Sequence, residues 1–218
     1  MMDAEGANAH QLTPAGQVDN SPTATADGRH IVFRSFRSGV SEIWRMDADG
    51  SNPVQLTSGT GYHPSVSPDG RWVVYASIQG QRWALWKVSI DGGEPVRLTD
   101  KPSRWPALSP DGKLIACVYD GRVALIPFEG GTPIKTSTLP RHATASWGLH
   151  WTPDGQALMI LDAIQGVWRQ PVAGGAPVHL TDLGPEKIFN LAWSPDGKQL
   201  ALARGTQSFD VVLIRDFR

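Results

Sequence analysis

Two groups of residues in this sequence could do chemistry: six histidines and a series of aspartates that precede glycine. The histidines are His10, His30, His63, His142, His150 and His179. They show none of the close pairings that a metal site uses. The sequence also lacks the Gly-x-Ser-x-Gly motif of a serine nucleophile and a glycine-rich phosphate loop. It therefore predicts no metal, no cofactor and no enzymatic activity, although a site built from distant loops stays open as an alternative.

A second set of side chains is suited to binding. Aromatic and arginine side chains are favoured anchors of binding surfaces, and here they recur before or at the start of a short strand. The predicted binding residues are Tyr62, His63, Arg104, Trp105, Trp147, His150, Phe189 and Asn190. Loop cations are expected around them, at Arg37, Arg82, Arg122, Lys187 and Arg204. The alternative is that Trp105, Trp147 and Phe189 cap the apolar core and that His150 is a hydrogen-bonded interior histidine.

A repeat positions these side chains. Its clearest copy is Ser67-Pro68-Asp69-Gly70, and the aspartates of the five copies are Asp27, Asp69, Asp111, Asp154 and Asp196, at intervals of 42, 42, 43 and 42 residues. In such a turn proline fixes φ, aspartate bonds the backbone nearby, and glycine adopts positive φ. We therefore interpret the aspartates as turn formers rather than ligands. A fixed interval of this length is typical of a repeat architecture.

Each repeat divides into four strands, which we call a, b, c and d. Strand a leads into the Asp-Gly turn, strand b is an apolar run such as Trp72-Val73-Val74-Tyr75, and strands c and d flank a glycine-bearing hairpin turn. Five units of this kind predict an all-β fold: a five-bladed β-propeller of four-stranded antiparallel blades, within one domain over residues 1–218. The predicted blades span residues 20–57, 62–99, 104–137, 147–181, and 189–218 together with 10–13.

The two ends of the chain predict how the ring closes. Residues 2–13 match residues 46–57 at eight of twelve positions, so the chain begins with the end of strand c and a strand d. The last repeat stops after a strand c, predicted at residues 211–214. We therefore expect residues 10–13 to complete the last blade, which would remove exposed strand edges. The same beginning also suggests a piece of a longer protein, so closure with a second copy stays open.

Topology assigns the loops to two faces. If strand a runs from an upper to a lower face, the a–b and c–d turns lie on the lower face, and the b–c loops and d–a connections lie on the upper face. The predicted binding residues then converge on the upper mouth of the central channel.

Composition narrows the possible partners. The 218 residues are 40% hydrophobic and 19% charged, with a formal net charge of -1. This balance disfavours nucleic acid or an anionic membrane as the main partner. The single Cys117 cannot form an internal disulfide, and the first residues do not have the pattern of an export signal.

The repeat resembles that of TolB-type β-propellers, relatives of the WD repeat. Ser67-Pro68-Asp69-Gly70, Trp86, Asp91-Gly92-Gly93 and Leu98-Thr99 carry the resemblance most fully. It implies a binding role rather than a named partner, because similar repeats occur in bacterial TolB-like proteins and in C-terminal regions of bacterial receptor kinases. It also implies a periplasmic or extracytoplasmic location. The TolB N-terminal α/β domain is absent from the sequence, and five repeats are seen where six are usual in that family.

These observations lead to one functional hypothesis and two alternatives. The hypothesis is a non-catalytic binding or scaffold propeller, part of a larger TolB-like or sensor-kinase protein, that recognises a peptide or protein segment at the upper mouth. The first alternative is a propeller hydrolase or lyase with a channel site around His63 and His150. The second is a structural fragment with no function alone.

Overall fold

The computed structural model describes residues 1, 7–139, 148–162, 166–180, 186–194 and 197–206. Within these ranges the chain forms eighteen β-strands and no helix. The strands pair as antiparallel sheets, four of which have four strands each. The protein is therefore an all-β propeller with four-stranded antiparallel blades, as the repeat predicts.

The strands follow one another along the chain in the order a, b, c, d within each blade. Blade 1 contains β1 (Asp19–Ala24), β2 (His30–Ser35), β3 (Glu42–Asp47) and β4 (Val54–Gln55). Blade 2 contains β5 (Tyr62–Val66), β6 (Trp72–Gln79), β7 (Arg82–Ser89) and β8 (Val96–Arg97). Blade 3 contains β9 (Ser103–Leu108), β10 (Leu114–Tyr119), β11 (Arg122–Pro127) and β12 (Lys135–Ser137). Blade 4 contains β13 (Gly148–Trp151), β14 (Ala157–Asp162), β15 (Gly166–Pro171) and β16 (Val178–Leu180). A two-stranded sheet follows, with β17 (Lys187–Trp193) and β18 (Leu200–Gly205).

The turn between strands a and b has one hydrogen-bonding pattern. In blade 2 the Ser67 hydroxyl donates to the Asp69 carboxylate at 2.5 Å and accepts from the Trp72 N–H at 2.9 Å. Gly70 completes the turn at φ +70°. The hydroxyl, and next the Arg71 N–H, hold the pKa of Asp69 below its ordinary value. The carboxylate is thus occupied within its own turn, which confirms its interpretation as a turn former.

The core lies between neighbouring blades. Val73 and Val74 are both fully buried although they point to opposite faces of β6. Val73 belongs to the apolar cluster shared with blade 1, and Val74 to the cluster shared with blade 3. Strand b is therefore apolar on both faces because each face packs against another sheet.

The number of complete blades differs from the prediction. The described residues contain four four-stranded blades rather than five, because the fifth unit is a sheet of two strands, β17 and β18. Its predicted strand c, residues 211–214, lies outside the described residues. Residues 10–13 are described and form no strand, so the predicted terminal strand is corrected as well. Strand geometry depends on backbone hydrogen bonds to a neighbouring strand, and these residues make none of that kind within the described part of the chain.

The N-terminal segment nevertheless lies where a strand d of a preceding blade would lie. A Cβ atom on Gly50, in the c–d turn of blade 1, would come within 2.8 Å of the Leu12 carbonyl oxygen. The equivalent atom on Gly130 of blade 3 would come within 2.7 Å of the Leu98 carbonyl oxygen, and Leu98 directly follows strand d of blade 2. Leu12 thus packs against blade 1 as Leu98 packs against blade 3.

Candidate functional site

The innermost strand of each blade is strand a, since these strands contact one another in succession from β1 to β17. Two hydrogen bonds fasten them across blades. The Leu108 N–H donates to the Ser65 hydroxyl at 3.1 Å, and the Trp151 indole N–H donates to the Ala107 carbonyl at 2.9 Å. The first residues of these strands therefore share one end of the molecule, the upper face.

A β-bulge shapes the start of strand a in each of the first three blades. The pairing of β5 with β6 passes from Tyr62 opposite Ala76 to Ser65 opposite Val74, so two residues of strand a face one residue of strand b. The bulged pairs are Ser21-Pro22, His63-Pro64 and Trp105-Pro106. Proline is tolerated at a bulge because it has no N–H to contribute to the ladder. Bulges re-aim side chains, and they are frequent beside functional sites.

The bulged residues adopt an unusual backbone conformation. Ser21, His63 and Trp105 have φ values of +52°, +53° and +58°. Residues other than glycine rarely adopt positive φ, and such strain accumulates where function requires a particular side-chain direction. Three consecutive blades thus hold one strained residue at the same place.

The bulges bring an aromatic surface together. The rings of His63 and Trp105 stack with their centroids 3.5 Å apart at an interplanar angle of 32°. Tyr62 meets Trp83 edge to face at 5.0 Å, and the Arg34 guanidinium lies 4.5 Å from the Tyr62 ring centroid. We call Arg34, Tyr62, His63 and Trp105 the aromatic arc.

The aromatic arc extends over the start of blade 4. A Cβ atom on Gly148 would lie 3.5 Å from the Trp105 ring and 3.8 Å from Nε2 of His150. Counted back from the Asp-Gly turn, Gly148 corresponds to His63 and Trp105. It has φ +115°, and β13 pairs with β14 without a register shift. The missing side chain leaves room for the Trp105 ring beside the His150 imidazole.

Both imidazoles are uncharged at neutral pH. Burial, and next the charges of Arg34 and Arg104, lower the pKa of His63 to about 4. Burial alone lowers the pKa of His150 to about 4. A neutral imidazole offers one hydrogen-bond donor and one acceptor. The aromatic arc therefore presents neutral rings that are flanked by guanidinium groups.

A comparison with protein families identifies the repeat. The family model of the TolB beta propeller domain matches residues 1–124. The chain belongs to this family. The matched residues contain blades 1 and 2 and the first part of blade 3.

Solved structures of TolB share the fold. TolB from Acinetobacter baumannii superposes with a TM-score of 0.71 at 19% identity, covering 91% of this chain and 52% of that one. A protein assigned as TolB from Agrobacterium tumefaciens superposes with a TM-score of 0.74 at 20% identity, covering 91% of this chain and 74% of that one. Likeness at such identities shows the fold alone.

Two further relatives show the range of proteins that this chain resembles. Oligogalacturonate lyase from Vibrio parahaemolyticus has a TM-score of 0.60 at 17% identity, covering 89% of this chain and 62% of that one. An uncharacterized protein of Agrobacterium fabrum is 36% identical over 56 residues, which are 26% of this chain and 19% of that protein. This TolB-type chain thus spans 52% of the Acinetobacter TolB and 19% of the Agrobacterium fabrum protein.

The predicted binding residues of the TolB-type propeller divide into two groups. The structure brings Tyr62, His63 and Trp105 into contact, with His150 beside them across Gly148. Arg104 is exposed at the start of β9, and its charge acts on His63.

The remaining predicted residues do not form part of the aromatic arc as defined. Phe189 and Asn190 lie in β17, where Phe189 lies near Gly205 and the Asn190 side chain accepts a hydrogen bond from the Leu191 N–H at 2.8 Å. Trp147 lies outside the described residues.

Two arginines lie where the sequence does not predict them. Arg34 was not predicted, although it interrupts a strand b at a place where the equivalent residues are Ala76 and Val118. Arg37 was predicted as a loop cation of the mouth. Its side chain is instead 13% exposed, forms a 3.2 Å ion pair with Asp19, and lies over the rings of Phe33 and Trp44. It is a structural arginine.

Two searches of the described residues were negative. No three His, Cys, Asp or Glu residues among them lie close enough together to hold a metal ion. No helix with the length and apolar character of a membrane span occurs in that part of the chain either.

Proposed function

We propose that this propeller is a non-catalytic binding module that recognises a peptide or protein segment at the aromatic arc. The observation that carries the proposal is the His63–Trp105 stack, held at positive φ by two bulges and flanked by Arg34 and Arg104. Strained, partly buried aromatic residues beside arginines have the composition of binding hot spots.

The chemistry of the aromatic arc favours a segment that carries an acidic side chain next to an apolar or aromatic one. The exposed Arg104 is available for a bidentate bond with a carboxylate. The partly buried faces of Tyr62 and Trp105 offer apolar area with little rotamer entropy to lose. Neutral His63 adds a donor and an acceptor for a peptide backbone.

A defined peptide library tests the proposal. Acidic–aromatic peptides and neutral peptides of equal length are titrated against the whole chain, and affinities are measured by fluorescence anisotropy. Trp105→Ala is expected to weaken the best binder by at least about 30-fold, which corresponds to a hot spot of ~2 kcal/mol. The matched control is Trp72→Ala, because Trp72 is a partly buried tryptophan at the lower end of β6.

The outcomes separate the proposal from a structural role. Equal affinity of Trp105→Ala and wild type would refute binding at the aromatic arc. If no library member binds the whole chain, a structural fragment without independent function is the better account.

An enzyme with a channel site is the second candidate. The observation in its favour is that two neutral imidazoles, His63 and His150, flank Trp105, and a neutral imidazole is able to accept a proton. The expected signature is turnover of a bound segment that disappears in His150→Gln while the affinity stays unchanged, because His150 is not part of the aromatic arc. Turnover should disappear in His63→Gln as well, but there together with weaker binding, since His63 stacks on Trp105. Binding without turnover favours the non-catalytic proposal.

We also propose that the fifth unit completes the ring with help from the N-terminal segment. The packing of Leu12 against Gly50 supports it, since it copies the packing of Leu98 against Gly130. Cysteines introduced into residues 10–13 and 211–214 would cross-link within one chain under this arrangement. Cross-links only between two chains would instead indicate closure with a second copy.

A further inference from the structure

Blades 3 and 4 do not close against each other along their outer edge. A cavity of about 240 Å³ lies between them, beside the c–d turn of blade 4 and away from the aromatic arc. Its apolar wall contains Val123, Leu125 and Leu158, which are buried. Lys135, Ser137 and Gln170 supply polar groups.

The cavity exists because strand d of blade 3 departs from the pattern of the others. In blades 1, 2 and 4 the sequence here is Val-x-Leu, at residues 54–56, 96–98 and 178–180; the leucine directly follows the strand in blades 1 and 2 and ends it in blade 4. Leu56 and Leu98 are 4% and 3% exposed, and each closes the gap beside its blade. In blade 3, Ser137 pairs with Val123 in the way that Leu180 pairs with Val167. A serine thus stands where a leucine side chain would fill the space.

One extra residue in the c–d connection produces this substitution. Pro127 and Ser89 are equivalent because each pairs with the first residue of its strand b. Lys135 follows Pro127 by eight residues, whereas Val96 follows Ser89 by seven. Alignment of the sequence places Ile134 at the position of Val96, but the pairing puts Lys135 there. A slip of one residue moves every side chain of a strand to the other face.

The contact with the next blade changes accordingly. At the boundary of blades 2 and 3, the backbone of Leu98 packs directly on Gly130. At the boundary of blades 3 and 4, the atom nearest to a Cβ on Gly174 would be Nζ of Lys135, at 3.8 Å. The Lys135 ammonium crosses the gap and donates a hydrogen bond to the Val172 carbonyl. The gap is therefore bridged by a flexible side chain rather than filled by backbone.

The polar groups of the cavity are complementary to an anion. The Gln170 amide nitrogen is committed to the carbonyls of Pro171 and Gly175, at 3.2 and 3.1 Å. Lys135 forms no ion pair with a carboxylate in the described ranges of the chain, and two of its three N–H donors remain after the bond to Val172. A cation in an otherwise apolar recess is stabilised by a counter-charge.

We propose that this cavity binds a small molecule with an apolar tail and a carboxylate head. The carboxylate pairs with the Lys135 ammonium and the Ser137 hydroxyl, and the tail lies over Val123, Leu125 and Leu158. The volume corresponds to about eight water molecules at ~30 Å³ each, which suits an aliphatic chain of roughly eight carbons because a methylene group is similar in size. Such a tail gains about 0.8 kcal/mol for each methylene that it buries.

Octanoate is the probe for the first test. It is titrated into the whole chain by isothermal calorimetry, and one molecule is expected to bind per chain. Ser137→Leu restores the residue found in the other blades and is expected to weaken octanoate binding by at least tenfold. Ser58→Leu, at an exposed position of the connection after β4, is the matched control and is expected to bind as wild type does.

The second test concerns the charge. Lys135→Gln is expected to weaken octanoate binding about tenfold, while Lys113→Gln, at an exposed turn position of the same blade, has no effect. Octanamide, of the same length but neutral, is expected to bind wild type as weakly as octanoate binds Lys135→Gln.

Three results would overturn the proposal: no octanoate binding by wild type, undiminished binding by Ser137→Leu, or octanamide binding as tightly as octanoate. If Ser137→Leu does not fold, the Lys135→Gln and octanamide measurements decide alone.

Discussion

On the lower face the a–b turns make the same bonds in blade after blade, whereas on the upper face the equivalent starts of strand a carry different side chains. The turn hydroxyls are Thr25, Ser67, Ser109 and Thr152, and they donate to the aspartate two residues later at 2.6, 2.5, 2.6 and 2.5 Å. The upper positions hold Ser21, His63, Trp105 and Gly148, all at positive φ. Positive φ thus recurs on both faces, but the side chain recurs only where it builds a turn.

This contrast predicts that substitutions on the two faces have different effects. A lower-face residue is restricted by its own turn, so its replacement should affect stability. An upper-face residue at the start of strand a has positive φ without the hydrogen bonds of such a turn. Where its ring belongs to the aromatic arc, its replacement should therefore affect binding more than stability.

The first prediction compares three glycines of the lower-face c–d turns. Gly130→Ala should destabilise the protein by ~3 kcal/mol, because it combines the strain of φ +88° with a clash against the Leu98 carbonyl at 2.7 Å. Gly92→Ala should cost only about 1 kcal/mol, since Gly92 also has φ +88° but nothing lies within 4 Å of the added atom. The measurement is urea unfolding followed by tryptophan fluorescence.

Gly50→Ala extends the same series to the N-terminal segment. Its φ is +90°, and the added atom would meet the Leu12 carbonyl at 2.8 Å. A loss of stability close to that of Gly130→Ala would show that residues around Leu12 pack as a strand d does. A loss close to that of Gly92→Ala would show that this segment is easily displaced.

Much of this fold follows from the sequence, because turn chemistry is local. The Asp-Gly turns predict where strand a ends and where strand b begins, and the apolar run at residues 72–75 falls within β6. The register of strand d in blade 3 does not follow from the sequence, because a glycine-rich connection does not reveal an insertion; only the pairing with β11 does.

The site was less predictable, because it depends on contacts between blades. The sequence showed aromatic residues at the starts of strands, which pointed to Tyr62, His63 and Trp105. It did not show the bulges, since a register shift is a property of two strands. It also did not show Arg34, whose place over Tyr62 results from the packing of blade 1 on blade 2.

The second prediction separates the two faces by pH. The folded-state pKa of His63 and of His150 lies at about 4, below the ordinary 6.5, so the unfolded chain takes up protons first as the pH falls. The free energy of unfolding should therefore decrease as the pH falls from 6.5 to 4, because of these two histidines of the upper face. The turn aspartates have a pKa below their ordinary 3.8, so their contribution is present above that value and is lost only below it.

Urea midpoints at pH 7, 5.5 and 4.5 measure the first of these windows. In the double variant His63→Gln with His150→Gln, the unfolding free energy should fall less steeply with decreasing pH, because about two fewer protons are taken up on unfolding. His10→Gln, at an exposed position, serves as the control. An equally steep decline in the double variant would assign that window to other groups.

The third and smallest effect is expected at Ser21, the upper-face residue whose side chain adds no ring to the aromatic arc. Ser21→Gly should raise the free energy of unfolding by about 0.5 kcal/mol. Glycine relieves the strain of φ +52°, which is ~1 kcal/mol or more. Part of this gain is lost because glycine gives the unfolded chain more conformational entropy. The control is Ser58→Gly, a position without positive φ, where only the entropic loss applies and stability should fall. Peptide affinity should be the same in both variants, and reduced affinity in Ser21→Gly would extend the binding surface from the aromatic arc to blade 1.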